Sequence, residues 1–280
     1  MMRCFSEKRK EIVMSEKNYV QELVDIIRSG LPENELVDRI SDYHDNDIAD
    51  ALTKLDKEER VKVYYAMGAE RMAEIFAYLD DAEDYLRELP MESVARVISE
   101  MDSDDAVDVL EDMDDTTRHR IVEMLDEDAG DDVRLLLSYD DDEIGSKMTT
   151  NYVTLTLNLT IKQAMKRVVE QAAENDNIST LYVLDSENKF YGAIDLTDLI
   201  VAREYVVLET LVTTSYPFVY DHETVDDCIE DLKDYSEDSI PVLDRDQHIL
   251  GVITSQDLLE VVDEEMGEDL SLIHISEPTR

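Results

Sequence analysis

The chain has 280 residues, of which 70 are acidic and 26 are basic, and its net charge is -44. The electric field of so much negative charge repels nucleic-acid phosphate and anionic lipid. The composition therefore excludes nucleic acid as a partner and favours cations as ligands. A solvated shell that only keeps the chain soluble explains the charge equally well. Two cysteines in no metal spacing indicate a reducing cytosol. Since the sequence has no apolar run of roughly 18 residues, we expect no membrane span within it.

The first half of the sequence predicts short stacked helices. Residues 1–18 form a lead-in without periodicity, and apolar residues then recur at helical spacing. From Asp45 a unit of about twelve residues repeats, in which an acid or Ser/Thr precedes apolar residues three and four apart. Because so short a helix is marginal alone, we predict a helical solenoid over residues 19–138. The repeat units end at Asp56, Asp80, Asp102, Asp114 and Asp126.

The second half contains an internal duplication at an offset of 59 residues, which aligns Asp198 with Asp257. Each copy predicts a strand, a polar turn, a second strand and a helix. An amphipathic helix precedes each pair of strands, over residues 161–174 and 225–235.

The duplicated motif resembles that of CBS domains. The second copy reads G-V-I-T-S-Q-D-L, and the first has Asp195 where a hydroxyl residue is usual. The resemblance implies a tandem CBS pair, with its units at 150–206 and 207–270, that packs with pseudo-two-fold symmetry and dimerises. The predicted fold class is therefore an α superhelical solenoid followed by an α+β tandem CBS pair.

The segment 139–149, Y-D-D-D-E-I-G-S-K-M-T, joins the two halves. Gly145 suits a left-handed or tightly packed turn, and an extended segment begins at Met148. The residues alone favour an ordinary inter-domain linker. The segment also resembles the joint between the helical domain and the CBS pair in the MgtE family of magnesium channels and transporters.

The residues indicate no catalytic centre. We find no nucleophile elbow, phosphate loop or H-E-x-x-H pair, and carboxylate pairs are too numerous for one to be singled out. We therefore expect no enzyme activity. In nucleotide-binding CBS domains, the motif hydroxyl and Asp hold a ribose, which implies Asp198 as a nucleotide contact and ATP as a candidate ligand. An extra carboxylate at Asp195 disfavours phosphate, and a helix-capping role for the motif acids is an equal alternative.

Acidic stripes raise the alternative of a cation site. Asp104 and Asp108 share a helix face, and a second stripe runs from Asp257 to Glu268. The stripes repel themselves, and Mg²⁺ with its oxygen ligands would relieve that repulsion. Two exposed acidic faces explain the same spacing without an ion. The MgtE resemblance favours the metal, and it assigns the family's bridging acids to Asp104, Asp108, Asp226, Asp257, Glu260, Glu265, Glu268 and Asp269.

Taken together, the resemblance implies the Mg²⁺-sensing cytosolic region of a magnesium channel. Mg²⁺ would bridge the acidic solenoid and CBS faces and close a pore domain that this chain lacks. We expect a homodimer through the CBS pair, at the cytoplasmic face of the cell membrane. The alternatives are an adenine-nucleotide-sensing CBS module and an acidic scaffold without a ligand. Residues 271–280 resemble a vector-derived tail, so we expect a truncated native chain and exclude them from the fold prediction.

Overall fold

A computed structural model describes residues 19–79, 81–173, 175, 177–232 and 237–255 of the chain. The chain divides into two compact units. The first contains Met1–Met101 and Val109–Asp126, and the second contains Asp102–Asp108 and Glu127–Arg280. The division passes through one helix, so the start of that helix belongs to the unit that also holds the sheets.

Short helices build the first unit, as the twelve-residue repeat predicts. Their bounds are α1 Tyr19–Arg28, α2 Glu33–Ile40, α3 Asp45–Leu52, α4 Lys57–Phe76, α5 Ala82–Leu86, α6 Met91–Ile98, α7 Ser103–Glu111 and α8 Asp115–Val122. Two of the acids that end repeat units cap the next helix. Asp56 makes a capping box with Glu59 at the start of α4, and Asp114 accepts from the amides of Thr116 and Thr117 at the start of α8.

The helix α4 contains a kink at Gly68, where φ is 81° and ψ is 174°. Residues on either side are helical, so the 20 residues of α4 form two short helices joined at the glycine. This explains why the unit ends at Asp56 and Asp80 are two repeats apart. Apolar side chains of both parts, among them Val63, Met72 and Ile75, are buried in the core of the first unit.

The second unit contains helix α9 (Glu127–Leu136) and two copies of a strand, a helix and two strands. In the first copy, β1 (Val153–Thr156) pairs in parallel with β2 (Thr180–Leu184), which pairs antiparallel with β3 (Phe190–Asp195). In the second copy, β4 (Val219–Tyr220), β5 (Ser239–Leu243) and β6 (Ile249–Thr254) repeat this order. The remaining helices are α10 (Ile161–Gln171), α11 (Leu196–Val201) and α12 (Val225–Leu232).

One predicted helix end differs from the structure. The apolar spacing extended the first CBS-unit helix to residue 174, but α10 ends at Gln171 with Ala172 as its C-cap. The amide of Asn175 still donates to the carbonyl of Gln171, four residues earlier, so one bond of the helical type follows this end. The second such helix was predicted to residue 235, and residues 233–236 lie outside the described part.

An aromatic cluster connects the two sheets of the second unit. The ring of Tyr182 on β2 is fully buried and contacts Tyr152, Phe190 and Tyr216. Its hydroxyl makes a 2.7 Å hydrogen bond with the hydroxyl of Ser239 on β5. Burial of large rings around a satisfied polar group makes this a rigid core, which holds the edges of both copies in place.

Candidate metal and nucleotide sites

Hydrogen bonds attach the start of α7 to the segment that leads into β1. The amide of Thr150 donates to the Ser103 hydroxyl oxygen at 2.9 Å, and the Asn151 side-chain amide donates to Asp102 Oδ1 at 3.1 Å. The Thr150 hydroxyl donates to Asp132 Oδ2 on α9 at 2.9 Å. These bonds lie within the second unit, and they give the first turn of α7 a fixed position beside α9.

The candidate ligands Asp104 and Asp108 extend from this anchored helix start. Their spacing places both on one face of α7. Asp104 is half-buried and its Oδ1 is shielded from solvent, whereas Asp108 is exposed. Nearby, burial raises the pKa of Asp132, and the charges of Asp128 and Asp131 raise it further. Three carboxylates of α9, those of Asp128, Asp131 and Asp132, therefore lie close enough to act on one another electrostatically.

The third described candidate, Asp226, lies in the first turn of α12 and is exposed. The helix start that carries it is bonded to the joint 139–149. The amide of Val225 donates to the carbonyl of Asp142 at 2.9 Å, and the amide of Ile144 donates to the carbonyl of Glu223 at 2.8 Å. The joint thus binds the second CBS copy through its backbone, which an ordinary linker would not do.

Close packing completes the joint. The amide of Gly145 donates to the carbonyl of Asp221 at 2.9 Å, and a Cβ on Gly145 would lie 2.7 Å from the ring of Tyr139. The Tyr139 hydroxyl donates to Asp221 Oδ2 at 3.2 Å. Of the two roles expected for Gly145, the structure shows the tightly packed turn, within a single 3₁₀ turn at Ile144–Ser146.

The two motif acids of the first CBS copy, Asp195 and Asp198, differ in position, and this distinguishes the capping role from the candidate nucleotide contact. Asp195 is the N-cap of α11, and its Oδ1 accepts from the amide of Thr197 at 2.6 Å. Asp198 lies in the first turn of α11, with an exposed side chain. Capping therefore belongs to Asp195, and the carboxylate of Asp198 faces solvent.

Comparison with known families decides what these two halves are. Residues 43–142 match the model of the MgtE intracellular N domain, and residues 142–205 and 208–264 match CBS domains. The chain is the N-domain and CBS-pair region of an MgtE-family protein. The resemblance stated from the joint and the duplicated motif is therefore confirmed, and so is the predicted fold class.

Two curated MgtE relatives show how much of the protein this chain covers. The magnesium transporter MgtE of Enterococcus faecalis is 31% identical over 222 residues, which are 78% of this chain and 49% of that protein. The magnesium transporter MgtE of Bacillus subtilis is 26% identical over 240 residues, which are 80% of this chain and 52% of that protein. The chain thus spans about half the length of these relatives.

Solved structures of MgtE-type proteins agree with the fold. The crystal structure of the soluble part of a magnesium transporter is 27% identical, with a TM-score of 0.83 over 88% of this chain and 98% of that one. The cytosolic domain of the Mg²⁺ channel MgtE, solved in complex with ATP, is 24% identical, with a TM-score of 0.77 over 86% and 99%. At that identity the second likeness shows the fold alone. Among the helices that the structure describes, none is long and apolar enough to cross a membrane.

Most of the MgtE-type metal candidates lie beyond the described part of the chain. Asp104, Asp108 and Asp226 are described, and all three lie in the second unit. Within the described ranges, no three His, Cys, Asp or Glu side chains form a group that could hold a metal ion. The candidates outside the described residues are Asp257, Glu260, Glu265, Glu268 and Asp269.

Sequence reasoning missed two residues of this MgtE region. Asp132 shares a face of α9 with the buried Leu136, so an acid at a core position was the available signal. His222 contacts Glu143, 79 positions earlier, with 2.7 Å between Nδ1 and Oε1. No local pattern predicts that pairing, because it depends on how the joint folds back on the second CBS copy.

Proposed function

We propose that this chain is the Mg²⁺-sensing regulatory region of a magnesium transporter or channel and acts at the cytoplasmic face of the cell membrane. The observation that carries the proposal is the order of an MgtE N domain followed by two CBS domains, across residues 43–264. Relatives that match this chain are named magnesium transporters. A net charge of -44 on such a chain supports a cation as the regulatory ligand.

The donors that the chain offers suit Mg²⁺. They are carboxylate oxygens, and Mg²⁺ binds through a few of these while it keeps several waters. Burial of Asp132 removes hydration from a carboxylate, and a nearby cation would compensate for that loss. Asp104 and Asp108 would hold one side of the ion shell. Asp226 and the acids Asp257, Glu260, Glu265, Glu268 and Asp269 would supply the CBS side.

When bound, Mg²⁺ supplies positive charge between surfaces that otherwise repel one another. In its presence the acidic α7 start and the acidic CBS faces remain together, and the regulatory region holds the compact form that closes the pore. When the ion leaves, the carboxylates repel and the region expands. The pore domain that responds belongs to a part of the protein outside this chain.

The proposed assembly is a homodimer through the CBS domains. We propose that residues 19–138 form the helical domain, 139–149 the joint, and 150–206 and 207–270 the two CBS units. On the first CBS unit, Ile200, Val201 and Tyr205 expose 60%, 70% and 77% of their surface, which supports burial against another chain.

Small-angle scattering of the whole chain tests the cation proposal. We expect the radius of gyration to fall as Mg²⁺ is raised into the millimolar range, and to change far less with NaCl at matched ionic strength. Divalent bridging and simple screening differ in this comparison, because a monovalent salt shortens the Debye length equally. Equal compaction by NaCl would contradict Mg²⁺ bridging.

The second candidate function is adenine-nucleotide sensing, and the exposed carboxylate of Asp198 favours it. Since Asp195 provides the helix cap, Asp198 is available to a ribose hydroxyl. ATP at a hundred times its dissociation constant would stabilise the fold by about 2.7 kcal/mol, which a melting curve detects. We expect Asp198→Ala to remove that gain and Glu204→Ala, another exposed acid, to keep it. If ATP leaves the melting temperature unchanged while Mg²⁺ raises it, this second function is excluded.

A further inference from the structure

The joint places a histidine between two carboxylates of the second unit. His222 Nδ1 lies 2.7 Å from Glu143 Oε1, and its Nε2 lies 3.7 Å from Asp221 Oδ2. The ring also meets the ring of Tyr139 edge to face, with 5.3 Å between their centroids. Three separate side chains therefore contact one imidazole, although half of its side chain is exposed.

The two carboxylates are held in place by other donors. Asp221 is 7% exposed, and it accepts from the Tyr139 hydroxyl and from the amide of His222. Glu143 accepts from the amide of Asp140 at 3.0 Å. This amide and His222 hold the pKa of Glu143 below its ordinary value, so Glu143 stays ionised in mild acid.

A neutral imidazole can donate a hydrogen bond to only one of these two carboxylates. It has one N–H donor, and the ionised Glu143 requires that donor on Nδ1. The Nε2 lone pair then faces the buried carboxylate of Asp221, which is unfavourable. Protonation turns Nε2 into a second donor and places a positive charge between two negative ones.

We propose that the joint is a proton-responsive clasp, in which protonated His222 binds Glu143 and Asp221 together and fixes the segment 139–145 against the second CBS copy. The backbone hydrogen bonds between the joint and residues 221–225 form together with the clasp. The clasp tightens when the imidazole gains a proton and loosens when it loses that proton. This input acts without Mg²⁺.

The charged groups closest to the imidazole are carboxylates. From the joint this is Glu143, and from the second CBS copy it is Asp221. Asp244 acts on the Tyr139 ring from farther away, and it is paired with His248, which can carry positive charge.

Hydrogen exchange of the full chain in EDTA, read on peptides that cover the joint and residues 221–226, tests the clasp. After correction for intrinsic exchange rates, we expect protection to be about three- to fivefold higher at pH 5.5 than at pH 8, the size of one partly exposed ion pair. His222→Gln keeps a donor toward Glu143 but carries no charge, so its protection should not depend on pH. Glu143→Gln should remove the response as well.

The control is His119→Gln, which removes an exposed histidine paired with Glu123 across one helical turn. It should keep the wild-type response. A pH-independent wild type, a response that survives in His222→Gln, or one that is lost in His119→Gln would each overturn the clasp. EDTA removes Mg²⁺ from all arms, so failure here leaves the cation proposal untouched.

Discussion

Arg60 and Glu88 form an enclosed ion pair in the helical unit, with 15% and 12% of their side chains exposed. Nε of Arg60 donates to Glu88 Oε2 at 3.0 Å, and its Nη1 donates to the carbonyl of Leu55. Replacing one partner of an enclosed pair leaves the other charge without compensation. The pair therefore fixes the start of α4 against the segment that follows α5.

We predict that Glu88→Ala destabilises the chain by about 3 kcal/mol, because Arg60 would remain buried without its carboxylate. The matched control is Glu74→Ala, which breaks the more exposed pair with Arg71, and we expect a loss within about 1 kcal/mol. Denaturant unfolding at neutral pH measures both. Equal losses in the two variants would show that the burial of Arg60 does not increase the free energy that its ion pair contributes to unfolding.

Asp132 illustrates the opposite case, a single carboxylate whose burial is unfavourable. Because its pKa is raised, the folded chain binds this proton at a higher pH than the unfolded chain does. The ionised form therefore lowers stability at neutral pH, and this loss disappears as the pH falls through the folded-state pKa.

We predict that Asp132→Asn raises the melting temperature by about 2 °C at pH 7, since the amide oxygen still accepts from Thr150. The gain should fade as the solution is acidified through the raised folded-state pKa of Asp132, where the wild-type carboxyl also becomes neutral. Asp115→Asn removes an equal charge from a surface pair with Arg118 and serves as the control. A gain of the same size in the control would assign the effect to net charge.

At the scale of a helix, Gly68 determines the shape of α4. Its backbone lies in a region that is open essentially to glycine alone, and nothing lies within 4 Å of a Cβ built there. The backbone conformation therefore disfavours a side chain at this position, whereas the open space around it would admit one. Alanine would stabilise a straight helix by up to about 1 kcal/mol, but it would strain a kinked one.

We predict that Gly68→Ala destabilises the chain by about 1 to 3 kcal/mol, because the kink is fixed by buried side chains on both sides. Thermal or denaturant unfolding gives the sign directly. A more stable variant would mean that α4 straightens without loss and that the two-helix interpretation of this segment is wrong.

The elements that depend on local spacing were predictable from the sequence. Asp56 and Asp114 end repeat units and cap the next helices, because the same short side chain suits both positions. The cap on α11 was less certain, since Asp195 and Asp198 both lie near the helix start and only backbone geometry distinguishes them. The joint could not be derived in detail, because its bonds join residues about eighty positions apart.

At the scale of the molecule, charge dominates. Between Glu100 and Glu143 the sequence has 19 acids and three arginines, and this segment includes the α7 start and residues 139–143 of the joint. Moving a two-state equilibrium from 1:99 to 99:1 takes about 5.5 kcal/mol of differential binding. Under the proposed function, exposed acids such as Asp108 and Asp226 would each hold Mg²⁺ only weakly, so several ions would share that work. Loss of one carboxylate pair should therefore weaken the response and not abolish it.

We predict that replacing both Asp104 and Asp108 by Asn has effects of opposite sign with and without the ion. Without Mg²⁺ the repulsion on α7 falls, so the variant should melt slightly higher than the wild type. With Mg²⁺ two ligand charges are gone, so the ion should raise the melting temperature less. A role in capping alone would lower stability by about 1 kcal/mol in both conditions, which is a different pattern.

Melting curves of four samples, wild type and the double variant with and without Mg²⁺, measure this coupling as a difference of differences. The control replaces Asp112 and Asp115 by Asn, which removes the same charge from exposed positions of the neighbouring segment. If general electrostatics governs the ion response, both double variants lose it equally. If the start of α7 contributes ligands, the Asp104 and Asp108 variant alone shows a reduced Mg²⁺ shift. An unchanged shift in that variant would leave both residues as solvated surface.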